Sequence, residues 1–476
     1  MPISQRIVGA PASREAPDRA RKSAVARSSS LIVTLLFAAV AFHVAFPKGG
    51  FTWHQIPITW ADATFGLVLG ALVYRLKGSA RSVTLLKLMM GLVLFGAAFF
   101  AFRILAQEGF VLRFVNSSDI GEIVPLCVYP LILIAMLQVV DTELRQKRLV
   151  KFICLGVAIV LLYGIAQKAL GVDRTIIPGL TANSAAFNNP FFISERFNTI
   201  GPGGELKLTS TYQNGNLLGV NLLLLLPLAI GVAKRKWFKV FLIGAGLFAL
   251  AYCGSRAAWV GALTLGLVWA CFGVKRLAAK IGLFVAIGSA VAIFLFYVPI
   301  ARTRVMSQIG TGSLTSMGGR VEPASILLSE SLKNANVRAF LVGPDQQQIQ
   351  DIGEQGGGAY EILYLAIFQI AGVLGILIWL APLVLALAAI YKYRSDPIER
   401  AIFISLVAYL VCAIAEGAFW LPPTSFNLYM IVGLGLLRYQ SLKRAVPAAK
   451  QAAVIPSLRD AFMRPVPVHV RNQHAG

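Results

Sequence analysis

Long unbroken apolar runs, rather than alternating patterns, dominate the chain from Leu31 onward. A helix crossing a bilayer needs about 20 apolar residues, because a hydrocarbon core of about 30 Å is climbed at about 1.5 Å per residue. Stretches of this kind lie at about 29–46, 56–74, 83–106, 119–140, 149–170, 212–233, 237–253, 256–274, 280–299, 359–391, 399–420 and 424–438. They predict an all-α, polytopic integral membrane protein of about twelve transmembrane helices. The transmembrane domain covers 31–440. A basic tail at 1–30 and a second tail at 441–476 flank it, and both are expected to be disordered and cytoplasmic.

Charge gives an independent reading of the same topology. With the N-terminus inside and the spans alternating, most of the 44 Lys and Arg fall inside. They gather in the short loops around Arg75–Lys87, Arg145–Lys151, Lys234–Lys239, Lys275–Lys280 and Lys392–Arg400, and in both tails. That is the bias that orients helices in a membrane. The stretch Trp237–Val274 has basic flanks at both ends and one internal charge after Lys239, Arg256. As one helix it would be about 57 Å long, so it folds as a hairpin at Gly254-Ser255 with Arg256 at the outer turn. Ala359–Tyr391 crosses once and is about 50 Å long as a helix. It must tilt, kink at Pro382 or project beyond the bilayer. Two long loops, about 171–211 and 300–358, fall on the outer, periplasmic side, and long loops with their own sequence character tend to carry function.

Composition agrees. The 476 residues are 57% hydrophobic and only 14% charged, against roughly a quarter charged in soluble domains. The net charge of +23 belongs to loop orientation and points away from nucleic acid, because no basic-aromatic interleaving occurs in a polar domain. The five cysteines sit in or beside apolar runs and form no CxxC pair, so they are expected to be small buried hydrophobes. Four scattered histidines suggest no metal cluster, and the long polar stretch before Leu31 is unlike a cleavable signal peptide.

Candidate chemistry sits at the outer ends of helices. Arg256, at a hairpin tip near hydrocarbon, is costly unless paired or wet. Its planar fork suits phosphate; on spacing alone a snorkelling arginine or a local ion pair is the stronger reading. Glu361 begins a long apolar helix after the triple glycine 356–358. It reads as a base, or as a carboxylate favoured by the helix dipole. Arg320 and Lys207 lie on the same side. Glu122 and Glu416 are intramembrane acids that can pair with Arg103 or serve function. Asp62 at a helix start reads as a cap. The polar run Thr209–Asn216 reads as a cap and turn or as a substrate-facing turn.

At these residues the chain resembles the bacterial O-antigen ligase and O-antigen polymerase-like family. Four segments carry the similarity, in family order. Lys207-Leu-Thr-Ser-Thr-Tyr-Gln-Asn-Gly-Asn216 resembles Arg-x-x-Gly-Thr-Phe-x-x-Pro-Asn. Gly254-Ser-Arg-Ala-Ala-Trp259 resembles the family hairpin. Gly318-Gly-Arg320 with Leu341-Val-Gly343 resembles its Gly-Arg…Gly-x-Gly loop. Tyr360-Glu361-x-x-Tyr364 with Ala371-Gly-Val-Leu-Gly375 resembles its segment before Gly-Leu-Ile-Gly. Two departures stand out. No histidine lies between His54 and His469, whereas the ligase subgroup has one at the start of the helix after the large loop, which favours a polymerase. Lys207 replaces the usual Arg, so Arg196 is a candidate to share its role.

The resemblance implies a metal- and cofactor-independent glycosyltransferase of the inner membrane acting on undecaprenyl-pyrophosphate-linked glycan. Glu361, Arg256 and Arg320 would be catalytic, and Lys207, Arg196, Tyr212, Asn216 and Tyr360 would bind substrate. Besides the lipid bilayer, chain-length regulator and export proteins are expected partners. An O-antigen ligase, a lipid-linked oligosaccharide transporter and a non-catalytic assembly scaffold are the alternatives.

Overall fold

The structure, a computed structural model, describes residues 31–53, 56–75, 84–107, 124–182, 206–274, 276–299, 301–303, 337–344, 362–414 and 422–462. It is mostly helical. The chain runs through α1 (Leu31–Ala45), β1 (Gly50–Trp53), β2 (Ile56–Thr59), α2 (Trp60–Arg75) and α3 (Thr84–Gln107). A π-turn at Val124–Val128 precedes α4 (Leu131–Val139), α5 (Glu143–Leu170) and the single turn α6 (Val172–Thr175). Then follow α7 (Gly215–Val232), α8 (Lys236–Tyr252), α9 (Arg256–Gly273) and α10 (Leu277–Tyr297). The last elements are α11 (Val337–Val342), α12 (Leu363–Tyr391), α13 (Pro397–Cys412) and α14 (Pro422–Phe462).

Helix falls on part of each of the twelve apolar stretches. Five helical segments are long and apolar enough to cross a membrane by length and composition: Lys87–Ala106, Glu143–Leu170, Gly215–Val232, Leu277–Tyr297 and Leu363–Tyr391. These helices associate the chain with a membrane.

Local chemistry explains several boundaries. Thr142 caps α5 by accepting from Arg145 N at 3.3 Å, which starts the helix ahead of its apolar run. Asp62, read as a cap, is the third residue of α2 and completes a capping box with Thr59: its carboxylate accepts from Thr59 N at 3.0 Å and Thr59 Oγ1 at 2.7 Å, and its N–H donates to Thr59 Oγ1 at 3.3 Å. Asp396 accepts from Ile398 N and Glu399 N at the start of α13.

Four expectations are corrected. Residues 56–59 are not the start of a helix but β2, antiparallel to β1 with Gly50 opposite Thr59; Ile56, Ile58 and Thr59 are β-branched, and Pro57 can be accommodated in a two-stranded ribbon that has no central strand. The stretch 119–140 is broken at Tyr129-Pro130, where proline has no N–H to continue a helical ladder. Helix α14 continues through 441–462, within the tail expected to be disordered; alanine, lysine, arginine and leucine there are strong helix formers. Finally, the break in α12 lies not at Pro382 but at Gly372, with φ 61° and ψ −159°.

Helix α7 sits at the centre, touched by α5, α8, α9, α13 and α14. Glycines bring the neighbours close. A Cβ added to Gly219 would lie 2.5 Å from the Cβ of Ala258, and one on Gly261 would lie 2.3 Å from Leu223. In lipid, where burying apolar surface gives helices no preference for one another, such small-residue approaches are a main source of contact energy. Asn221 of α7 adds hydrogen bonds: its amide donates to Thr424 Oγ1 at 2.9 Å and its carbonyl accepts from Asn427 at 2.7 Å. At the other extreme, α10 has no buried residue. Cys271 is also a correction: it is exposed on α9 while the other four cysteines are buried. Exposed Trp269 and Phe272 beside it mark a surface that must be apolar without being internal.

Two ends of the bundle can be distinguished by contact. At the upper end, Tyr212 meets Val44, Trp60 Nε1 donates to Gly179 O, and Tyr364 donates to Leu410 O. At the lower end, Arg438 pairs with Asp396 at 2.9 Å and Gln146 donates to Ser441.

The break at Gly372 yields a prediction. A Cβ there would lie 2.5 Å from the carbonyl group of Leu341 and require a left-handed backbone. Gly372→Ala should therefore destabilise by about 1–3 kcal/mol, read as a lower melting temperature in detergent. Gly244→Ala, where an added Cβ meets nothing within 4 Å, should leave that temperature unchanged.

Candidate functional site

The upper end collects two of the four sequence segments into one contact. The lead-in to α7, residues 206–214, docks onto the α8–α9 hairpin. Leu208 N donates to Tyr252 O at 2.9 Å. A Cβ on Gly215 would lie 2.0 Å from the carbonyl oxygen of Cys253, so glycine is required for that approach. Gly254, at φ 66°, makes the turn, and Ser255 caps α9 by accepting from Ala258 N at 3.2 Å. Trp259 Nε1 donates to Leu250 O at 2.8 Å and ties the two arms of the hairpin.

Basic groups surround this contact from three elements. Arg256 is half-buried and is the first residue of α9. Lys207 is 6% exposed, immediately before the residue bonded to Tyr252. Lys168, near the end of α5, lies over the Tyr252 ring with its ammonium 4.6 Å from the centroid. The N-termini of α7 and α9 abut at the same point, and each contributes a partial positive charge from unpaired backbone N–H groups. The arrangement suits a multiply charged anion.

The lead-in itself is held rigidly. Gln167 Oε1 accepts from Thr209 N at 3.2 Å and Ser210 N at 2.8 Å. Ser210 Oγ donates to Val160 O at 2.7 Å. These bonds hold Ser210 at φ 49°, a left-handed conformation that is unusual for a residue with a side chain. Asn214 then caps α7, accepting from Leu217 N at 2.9 Å.

A second contact joins the described parts of the other two segments, Leu341–Gly343 and Ala371–Gly375. Gly343, at φ 99°, packs against the backbone of Ile370 and Ala371, while Gly372 packs against Leu341 and Gly343. Arg103, 8% exposed, donates from Nη2 to Gly343 O at 3.4 Å. The two contacts are linked through α13: Tyr364 reaches Leu410, and a Cβ on Gly261 of α9 would lie 3.3 Å from Cys412.

Of the residues expected to act, Arg256, Lys207, Tyr212 and Asn216 are described. Arg256 and Lys207 come to the same contact. Tyr212 is 2% exposed and its hydroxyl donates to Val44 O at 3.2 Å, so it ties the lead-in of α7 to α1. Asn216 is half-buried in the first turn of α7, and the cap is its neighbour Asn214. Glu361, Arg320, Arg196, Tyr360, Glu122 and Glu416 lie outside the described residues.

Lys168, the link between Arg103 and Gly343, and the buried layer of Asn221, Thr424, Asn427 and His43 were not singled out as functional from sequence. His43 is fully buried against Phe426, centroids 4.1 Å apart. Asn221 had a signal, as the only polar side chain between Leu217 and Leu228.

No protein-family model matches the chain, and no curated protein matches it.

Tyr212→Phe tests this tie. Losing the bond to Val44 O should cost about 1 kcal/mol of stability, measured by thermal unfolding in detergent.

Proposed function

We propose that this chain is a membrane glycosyltransferase that polymerises undecaprenyl-pyrophosphate-linked oligosaccharide repeat units at the periplasmic face of the bacterial inner membrane. The observation that carries the reading is the docking of 206–214 onto the α8–α9 hairpin. It brings the segments of Lys207 and Arg256 together with two helix N-termini, at the end where the topology places the long loops. The twelve-span topology with both termini inside is part of the same proposal. It is supported by helix in each apolar stretch and by the basic loops.

In this reading the acceptor sugar hydroxyl attacks the anomeric carbon of the donor glycan. The bond from that carbon to the pyrophosphate oxygen breaks, and the polyprenyl pyrophosphate leaves as an anion. Arg256, Lys207 and Arg320 stabilise the charge that grows on the leaving group. Glu361 accepts the hydroxyl proton. The energy is already stored in the sugar–pyrophosphate bond.

A lipid-linked oligosaccharide transporter is the second reading. The break in α12 at Gly372 and the buried polar layer around Asn221 favour it, because transporters place interrupted helices and polar groups inside the bundle.

In cells, Arg256→Ala and Glu361→Gln should each lower polymer yield roughly 100-fold or more, with single lipid-linked repeats accumulating on the outer leaflet. Repeats retained on the inner leaflet would favour the transporter. Unchanged polymer length and yield in both variants would exclude the glycosyltransferase assignment.

A further inference from the structure

The lower end of the bundle holds a cavity unrelated to the upper contact. It has a volume of about 350 Å³ and opens where α5, the end of α7 and the start of α8 meet. Lys151 comes from α5, Lys234 and Arg235 from the α7–α8 turn, and Trp237 and Phe238 from the first turn of α8. Cys154 lies deeper, and its thiol contact with Ala229 O at 3.9 Å fixes α5 against α7. The floor is apolar and the rim is cationic.

The carboxylates described at this end do not neutralise the rim cations. Asp141 engages Arg145 at 2.6 Å, Glu143 engages Lys147 at 2.7 Å, and Asp396 engages Arg438 at 2.9 Å. Lys151, Lys234 and Arg235 form no ion pair among the described residues. All three are exposed, as is Trp237 at 64%. A large indole held beside three free cations at the end of an apolar helix bundle is placed for the interface, where tryptophan sits at head-group depth. The cavity volume falls in the range of small-molecule sites, about 300–1,000 Å³.

We propose that this cavity binds one anionic phospholipid. Its phosphate is held by Lys151, Lys234 and Arg235, and its glycerol and upper acyl chain lie along Trp237, Phe238 and the apolar floor. Basic pockets between membrane helices recognise such head groups by charge, with the acyl chain supplying the apolar half of the match. The inference rests on membrane association and not on the glycosyltransferase reading.

The test uses purified full-length protein in neutral detergent, titrated with phosphatidylglycerol, phosphatidylcholine or inorganic phosphate. Bound lipid is counted by native mass spectrometry. One phosphatidylglycerol per chain is expected, with phosphatidylcholine and inorganic phosphate much weaker. The triple variant Lys151→Gln, Lys234→Gln, Arg235→Gln should bind phosphatidylglycerol roughly 100-fold more weakly. The double variant Arg276→Gln, Lys280→Gln removes charge from another loop at the same end and should bind normally. Lys151→Arg with Lys234→Arg keeps the charge and should retain selectivity, which guards against a folding artefact. Equal loss in the triple and double variants would mean diffuse surface charge and would overturn the proposal. So would equal binding of the two lipids, or binding of inorganic phosphate as tightly as phosphatidylglycerol.

Discussion

The burial of α7 on every side is the constraint that orders the rest. A helix surrounded by other helices has no water to satisfy its polar groups, and two features of α7 answer to that burial. Its single polar side chain in a long apolar run, Asn221, is bonded to its own helix at Leu217 O and to Thr424 and Asn427 of α14. Where neighbours come closest, one partner is a glycine, as at Gly219, Gly246 and Gly261. Because α7 starts at Gly215, against the Cys253 carbonyl, the position of the α8–α9 turn follows from the position of α7. The cationic cluster at the upper end is therefore built on the helix with the largest buried share of the five long apolar ones.

The two ends of the bundle handle charge differently. Below, Asp141, Glu143 and Asp396 are each matched locally with an arginine or lysine, and three of the cations without an ion pair among the described residues stand around a cavity. Above, Lys207 is buried in a segment strained at Ser210 and fixed by Gln167. Strain persists only where surrounding bonds over-determine it, and four hydrogen bonds from Gln167 and Ser210 do so here. Such rigidity suits charge stabilisation, which depends on donors that do not have to rearrange as charge develops.

Much of the fold was legible in the sequence because lipid imposes simple rules. Runs of apolar residues placed the helices, and the Gly254-Ser255 break located the α8–α9 hairpin within a residue. Three features followed from longer-range contacts and were not legible. The break in α12 depends on Gly372 meeting Leu341 and Gly343, a contact between residues about thirty apart, whereas local propensity offered a kink at Pro382 only as one of three ways to accommodate the long stretch. The polar run around Tyr212 read as a cap and turn or a substrate-facing turn, and Thr209, Ser210 and Tyr212 are buried there and bonded to Gln167, Val160 and Val44. The β1–β2 ribbon is only four residues a side and has no periodic signal long enough to see. For the site, the meeting of the Lys207 and Arg256 segments agrees with their order in the chain and the parity of the helices. Lys168 became visible only through its position over Tyr252.

Helix α10 has a different consequence. None of its 21 residues is buried, and it touches the rest mainly along α9, with Phe294 against the Trp259 ring at 4.9 Å. Shape complementarity places almost no demand on it, so any apolar residue serves as well as another at most of its positions. Its sequence is free to drift among leucine, isoleucine, valine and phenylalanine, while α7 tolerates almost no such exchange. Within one bundle, natural variation should record where the protein meets lipid and where it meets itself.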